Sequence, residues 1–280
     1  MIDLHAHSNA SDGSDSPADF ARLAASAGLA AVALTDHDTV EGLAEATEEA
    51  DRLGLRLVPG CELSCEVDVG AMHLIVLFVD ARPSPLVGRL GALQAARDTR
   101  NERIVERLQA EGFDITLAEV LAEAGSGSVG RPHIAAVLVE KGHVSSITEA
   151  FDLWLARGRP GYVERDRLTP AEAIDLVHAS RGVAVLAHPF TLDLDEARLA
   201  AFLEELADTG LDGVEVAYGR YRPDERRSLG RLAERLGLCP SGGSDYHGRY
   251  KPDLSLGTGL GDLHVPDEWL DALEERRPTV

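Results

Sequence analysis

Basic residues are in short supply in this chain: 27 Lys and Arg face 48 Asp and Glu, giving a formal net charge of −21. A face for duplex nucleic acid needs a basic stripe, so duplex DNA binding is not expected. Most of the acidic excess reads as a solvated surface that aids solubility. An anionic substrate would be repelled at long range unless bound cations inverted the field at its site. Cysteine is nearly absent: Cys61, Cys65 and Cys239 are an odd, sparse set, and the first two are not in C-x-x-C spacing. That argues against a disulfide framework, and all three are expected to be reduced and structural. No apolar run approaches the ~20 residues that span a bilayer, and the chain opens with strand-like sequence instead of a basic leader and apolar segment. A soluble, cytoplasmic protein is expected, with no membrane partner. Aromatics are only 5%, but apolar residues as a whole are 44%, ample for a core. At 280 residues the chain suits one large α/β barrel or two ordinary domains.

Strand and helix patterns alternate through most of the chain. Ile2 to Leu4 reads as a short buried strand. Ser16-Pro17 opens a helix, with a capping hydroxyl, proline at the first helical position and Asp19 in the first turn; Gly28 stops it. Leu29 to Leu34 is a continuous apolar run, as expected of a strand buried on both faces. A helix over Thr39 to Leu53, a strand over Leu55 to Val58 and another over Met72 to Val79 follow. Short connections between alternating elements imply right-handed parallel crossovers. From Ser84 to about Val163 only helical patterns appear, separated by glycines, so residues 84–163 are expected to form a helical insertion between barrel segments 1–83 and 164–280. The alternation resumes at Thr169-Pro170-Ala171-Glu172, a capping box. Strands at Val183 to Ala187 and Gly213 to Ala217, and a segment running from Cys239 to His247, complete the pattern.

The strand ends carry the chemistry. His5 and His7, two apart on an extended chain, share a face and can hold one metal ion together. Asp12 follows in a turn where Gly13 frees the backbone to bend back. Later strand ends supply His37, Glu62, His188, Asp245 and His247. His73, near the start of its strand, reaches the same rim if that strand is short or tilted. In a parallel barrel the carboxyl ends meet at one rim, where sites are built. Each of these residues alone is as readily a hydrogen-bonded core group. Six of the ten histidines at one rim, with three carboxylates, point together to metal. Nine nitrogen and oxygen ligands suit two or three divalent ions, Mn, Fe or Zn, sharing bridging carboxylates. Three ions against three carboxylates leave a local charge of about +3, which would attract a phosphate dianion. Such a cluster can generate hydroxide near neutral pH and clamp attacking and leaving oxygens, so phosphate-ester hydrolysis is the expected chemistry, with no protein side chain assigned as the catalytic group.

Asp3-Leu-His-Ala-His with Ser11-Asp12-Gly13, Thr35-Asp-His-Asp-Thr39, Gly60-Cys-Glu62, His73, Ala187-His-Pro189 and Gly243-Ser-Asp-Tyr-His247 together resemble the polymerase and histidinol phosphatase (PHP) domain family. The resemblance implies a distorted (β/α)7 TIM-like barrel with a trinuclear metal site, often manganese. It implies His5, His7, Glu62 and Asp245 at a first site, Glu62, His73 and His188 at a second, and Asp12, His37 and His247 at a third. In the insertion, the segments starting at Gly130-Arg131-Pro132-His133 and Gly158-Arg159-Pro160 resemble standalone members acting on nucleotides. That branch includes nucleoside 3′,5′-bisphosphate phosphatases and 5′→3′ exonucleases on short RNA. Arg131 and His133 at a helix start, with Arg159, are therefore expected to bind substrate phosphate.

Two other functions compete. Histidinol phosphate phosphatase would use the same chemistry on another substrate. A metal-stabilised structural or regulatory PHP module would be inert towards phosphate esters. Four side chains stay open at this point. Tyr218 suits base stacking or packing, Glu215 lies near the barrel interior, and Asp36 and Asp38 are candidates for orienting His37.

Overall fold

The protein is described here by a computed structural model covering residues 1–79, 82, 84–125, 129–164 and 167–279. Ala31–Leu34 shows how the sequence writes a barrel stave: every residue is apolar and buried, yet the two faces go to different places. Ala31 and Ala33 pack with Ile2, Leu4, Ile75 and Val183, while Val32 and Leu34 pack with Phe20, Ala24 and Ala46 of the flanking helices. A period of two thus sends small side chains to one layer and larger ones to another.

Seven strands run in sequence order around the sheet: β1 (Ile2–Asp3), β2 (Ala31–Leu34), β3 (Arg56–Cys65), β4 (Met72–Leu77), β5 (Val183–Leu186), β6 (Gly213–Tyr218) and β7 (Cys239–Gly243). The first strand meets the last: Leu4 N–H donates to the Gly242 carbonyl at 3.0 Å, and Ala6 bridges Tyr246 in parallel. The result is a nearly closed, distorted seven-stranded α/β barrel. One expectation needs correction. β4 runs antiparallel to both β3 and β5, where parallel crossovers were expected throughout. The physical reason is length: residues 66–71 alone join β3 to β4, and a parallel crossover needs roughly a dozen residues. Within that turn Gly70 takes φ 51°, and a Cβ there would stand 2.4 Å from the Thr191 carbonyl oxygen.

The helices follow local signals. In α1 (Pro17–Ser26) the Ser16 hydroxyl accepts from the Asp19 N–H, and Gly28 closes the end at φ 71°. α2 (Leu43–Leu53) starts later than its pattern suggested, because Val40 accepts from the Leu43 N–H in a preceding turn. Then come α3 (Pro85–Ala110), α4 (Leu117–Ala124), α5 (Arg131–Glu140), α6 (Ile147–Ala150) with a π-helical continuation at Phe151–Leu155, α7 (Pro170–Ala179), α8 (Glu196–Thr209), α9 (Pro223–Leu236) and α10 (Asp267–Glu274). Thr169 and Glu172 form the capping box of α7. No helix among the described residues is long and apolar enough to cross a membrane.

The chain divides into two compact units, Met1–Leu90 with Arg167–Val280, and Gly91–Asp166. Of the boundaries expected from sequence, residues 83 and 280 lie outside the described set. The first unit holds the barrel. In the second, Ile104, Leu108, Val120, Ile134, Leu138 and Leu155 form an apolar core. Burial of one such side chain contributes about 1.5–3 kcal/mol.

Candidate metal centre

The hairpin reversal at β4 decides which end of that strand meets the rim. His73 pairs across from Ser64, near the far end of β3, so the start of β4 lies where the parallel strands finish. His73 arrives there because its strand is reversed, not because it is short or tilted. β3 itself runs past the rim, placing Glu62 beside His37 through a parallel bridge.

Glu62 is 1% exposed and is the hub. Its Oε1 lies 2.9 Å from His73 Nδ1 and 3.0 Å from His188 Nε2. Its Oε2 lies 3.2 Å from each of His5 Nε2, His7 Nε2 and His37 Nδ1. Asp245 Oδ1 stands 3.3 Å from His7 Nε2, 3.4 Å from His247 Nδ1 and 3.6 Å from His5 Nε2. Asp12 closes the third side, 3.3 Å from His247 Nε2 and 3.8 Å from both His37 Nε2 and His7 Nδ1. All nine side chains expected at a metal site therefore fall in one cluster. Four groupings bring ligand atoms within 4.8 Å of one another: His7, Asp12, His37 and His247; His5, His7 and Asp245; His5, Glu62 and His188; His37, Glu62 and His73.

Whether these residues suit cations is tested by their unmet valences. His5 Nε2, both ring nitrogens of His7, His37 Nδ1 and Glu62 Oε2 are buried and have no hydrogen-bond partner among the described residues. They stand 3.2 Å from one another in places, yet out of line for N–H···O bonds. Leaving a buried polar atom unpaired costs about 1–3 kcal/mol. Five at one spot are hard to reconcile with a packing role. Atoms crowded but not bonded to each other are the arrangement of ligands around shared cations, so the donor set fits divalent metal.

The electrostatics agree. Burial pulls the pKa of His7 down, but the Asp245, Glu62 and Asp12 carboxylates close about the ring outweigh it and raise it to about 9. Burial pushes Glu62 up, yet His37, His5 and His73 hold it well below the carboxylate range. Asp12 is likewise pushed up by burial and held well below its usual value by His37 and His247. The carboxylates thus favour positive charge in their midst. His37 differs: burial dominates and lowers it to about 3.

A second layer of contacts holds the ligands in place. Glu215, which sequence reasoning left open, is fully buried; its Oε1 lies 3.0 Å from His5 Nδ1, and its Oε2 accepts the His188 N–H at 2.7 Å. A carboxylate on Nδ1 turns Nε2 towards the cluster. Asp36 accepts from Ser8 N–H, Ser8 Oγ and Ser11 Oγ, fixing the loop that carries Asp12, and Asp38 accepts from the Ser64 N–H. Those contacts brace loops and do not grip His37 through its ring. Tyr218 is buried, and its hydroxyl donates to Asp245 Oδ2 at 2.8 Å, so it packs and orients instead of stacking on a base. Asp3 accepts from the N–H groups of His5, Ser244 and Gly257, tying β1 to the loops beyond β7. His188 and Asp245 take φ of 25° and 55°, strained values for non-glycine residues that persist where surroundings fix them. Gly243 has no alternative: a Cβ there would stand 2.4 Å from His5 Cβ.

In the helical unit, Arg131 donates to the Leu155 carbonyl at 3.0 Å and lies over the rings of Phe151 and Tyr162. His133 Nδ1 accepts the Gly130 N–H at 3.1 Å, closing the start of α5. The Arg159 side chain is exposed.

Known proteins resemble this arrangement. The model of the PHP domain matches residues 3–155. A 5′-3′ exoribonuclease, Rnm, of Escherichia coli (strain K12) is 37% identical over 262 residues, 93% of this chain and 89% of the relative. A 3′,5′-nucleoside bisphosphate phosphatase of Chromobacterium violaceum is 32% identical over 247 residues, covering 88% and 87%. A crystal structure from Bifidobacterium adolescentis, assigned as a metal-dependent phosphoesterase, superposes with TM-score 0.85 at 32% identity over 100% of this chain and 97% of the other.

Proposed function

The chain belongs to the PHP domain family, and from that premise we propose that it is a divalent-metal-dependent phosphoesterase acting on phosphate monoesters of nucleotides: nucleoside 3′,5′-bisphosphates, the 5′ ends of short RNA, or both. The observation that carries the reading is the set of five buried, unpaired donor atoms on His5, His7, His37 and Glu62. The nitrogen and oxygen donors suit two or three ions, with manganese favoured and iron or zinc compatible. Bound divalent ions supply Lewis acidity to a phosphoryl oxygen and lower the pKa of water.

The chain's own residues have distinct tasks. His5, His7, Glu62 and Asp245 would hold a first ion; Glu62, His73 and His188 a second; Asp12, His37 and His247 a third. Glu62, with three imidazoles about Oε2 and two about Oε1, would be the carboxylate shared by the first two. Glu215 holds His5 in the tautomer whose Nε2 faces the cluster, and Tyr218 holds Asp245 with Oδ1 towards the imidazoles. In the helical unit, phosphate binding is assigned to Arg131, His133 and Arg159, of which Arg131 is preorganised by its aromatic contacts. The deciding experiment is elemental analysis of purified protein coupled to phosphate release from adenosine 3′,5′-bisphosphate, 5′-phosphorylated short RNA and histidinol phosphate. Metal-replete protein that turns over the first two is expected. Preference for histidinol phosphate would redirect the substrate assignment, and inertness towards all three would defeat it.

A further inference from the structure

Among the 27 basic residues only two are lysines, Lys141 and Lys251. Lys141 is spent on the helical unit, 2.6 Å from Glu119 and 3.4 Å from Asp114. Lys251 is not spent. Its Nζ donates to Asp245 Oδ2 at 2.5 Å; among the described residues Asp245 is the one side chain it hydrogen-bonds, while the exposed Asp253, already paired with Arg220, lies near enough to feel its charge. An ammonium carries three N–H donors, so two remain. The side chain is 31% exposed while Asp245 is 4%, so Lys251 joins a buried carboxylate of the cluster to solvent.

Asp245 does not need Lys251 to be oriented. The Tyr218 hydroxyl already holds Oδ2 at 2.8 Å, and the Asp245 N–H donates to the His5 carbonyl at 2.8 Å. Nor is Lys251 a loose surface side chain. Its segment is seated on the loop that carries Asp12: Arg249 N–H donates to Ser14 Oγ at 3.0 Å, and Gly248, at φ 62°, lies so close that a Cβ would stand 1.9 Å from Ser14 Oγ. The Lys251 N–H donates to Gly248 O, and its carbonyl accepts from Leu254. A pinned cation, anchored on a buried carboxylate and holding donors in reserve, is set to receive an oxyanion. A lysine suits this place better than an arginine, because a compact point charge can serve a carboxylate and a phosphoryl oxygen together, whereas a planar fork would be committed to one.

We propose that Lys251 is a substrate-contacting residue of the phosphoesterase site, its free N–H groups binding a phosphoryl oxygen of the nucleotide beside Asp245. The proposal rests on the metal-centre reading of Asp245. It is tested on full-length, metal-loaded protein, unaltered and as Lys251→Met and Lys251→Arg. Inorganic phosphate is titrated by calorimetry, adenosine 3′,5′-bisphosphate turnover gives KM and kcat, and elemental analysis gives metal content. Loss of one charge-assisted hydrogen bond corresponds to about tenfold weaker phosphate binding and a similar rise in KM. Lys251→Met is expected to show both, with kcat less affected and metal content unchanged, and Lys251→Arg to recover part. Unchanged phosphate affinity would overturn the proposal. A fall in metal content with KM intact would do the same, assigning Lys251 to Asp245 alone. If Asp245→Asn kept full metal content and turnover, the metal-centre reading itself would go, whatever Lys251→Met had shown.

Discussion

The barrel rim and the helical unit bury opposite kinds of matter. Residues 91–166 fold around an apolar core, with a capping box at Thr116 and Glu119 and ion pairs left at the surface. Most of that interior favours stability, although Arg97, Arg100, Asn101 and His133 are buried with it. At the rim, three carboxylates and six imidazoles are packed together, several of their atoms unpaired, and two of their backbones strained. Nothing about that arrangement helps the chain to fold by itself. A protein tolerates such a cluster where it serves chemistry, and the barrel around it, with Phe20, Leu34, Ile75 and Leu77 fully buried, is what holds it.

The contrast can be broken most severely by removing a ligand. Asp245→Asn keeps the shape and tolerates the positive φ, so the fold should survive by circular dichroism while an ion and nearly all phosphate release are lost. Full activity in that variant would erase the distinction between the two regions. The opposite experiment is Ile134→Ala in the helical core, where the side chain is fully buried. It should lower stability by about 2–5 kcal/mol in denaturant unfolding, with metal content untouched. A smaller effect is expected from Glu215→Gln, which weakens the hold on His5 without deleting a ligand. Metal affinity, followed by competition with a chelator, should drop roughly 10–100-fold. The smallest concerns pH. Glu119 is held down to about 2 by hydrogen bonds from Lys141 and Thr116. A depressed carboxylate stabilises the fold above its ordinary value of 4.5, and the contribution is lost as pH falls towards 2. Glu119→Gln should therefore narrow the gap in melting temperature between pH 7 and pH 3 only slightly, since the pair is exposed.

Much of this was legible in the amino-acid order. His5-x-His7, the Thr35-to-Asp38 strand end and Gly243-to-His247 carry their ligands at positions fixed by local pattern, and caps at Ser16 and Thr169 mark helix starts directly. What the pattern does not carry is pairing between distant strands. Glu215 meets His5 and Tyr218 meets Asp245 only because β6 pairs with β7 and β7 closes onto β1, and no local signal points to such partners. The reversal of β4 is a different case. The pattern marks a strand only as far as Val58, which leaves room for a crossover before Met72; because β3 continues to Cys65, only six residues remain, and the antiparallel hairpin that places His73 follows from that extension, which the apolar pattern does not show.

The order in which ligands leave the ribosome follows from the divided barrel. His5, His7, Asp12, His37, Glu62 and His73 emerge within the first 73 residues, but His188, Asp245 and His247 come after the whole helical unit. At about 5–20 residues per second, the early set waits roughly 10–30 s for Asp245. On the proposed reading, the nascent chain would during that interval be a tethered, half-built chelator, open to whichever cation the surrounding medium offers most freely, and metal choice would answer to conditions during synthesis as well as to the finished site.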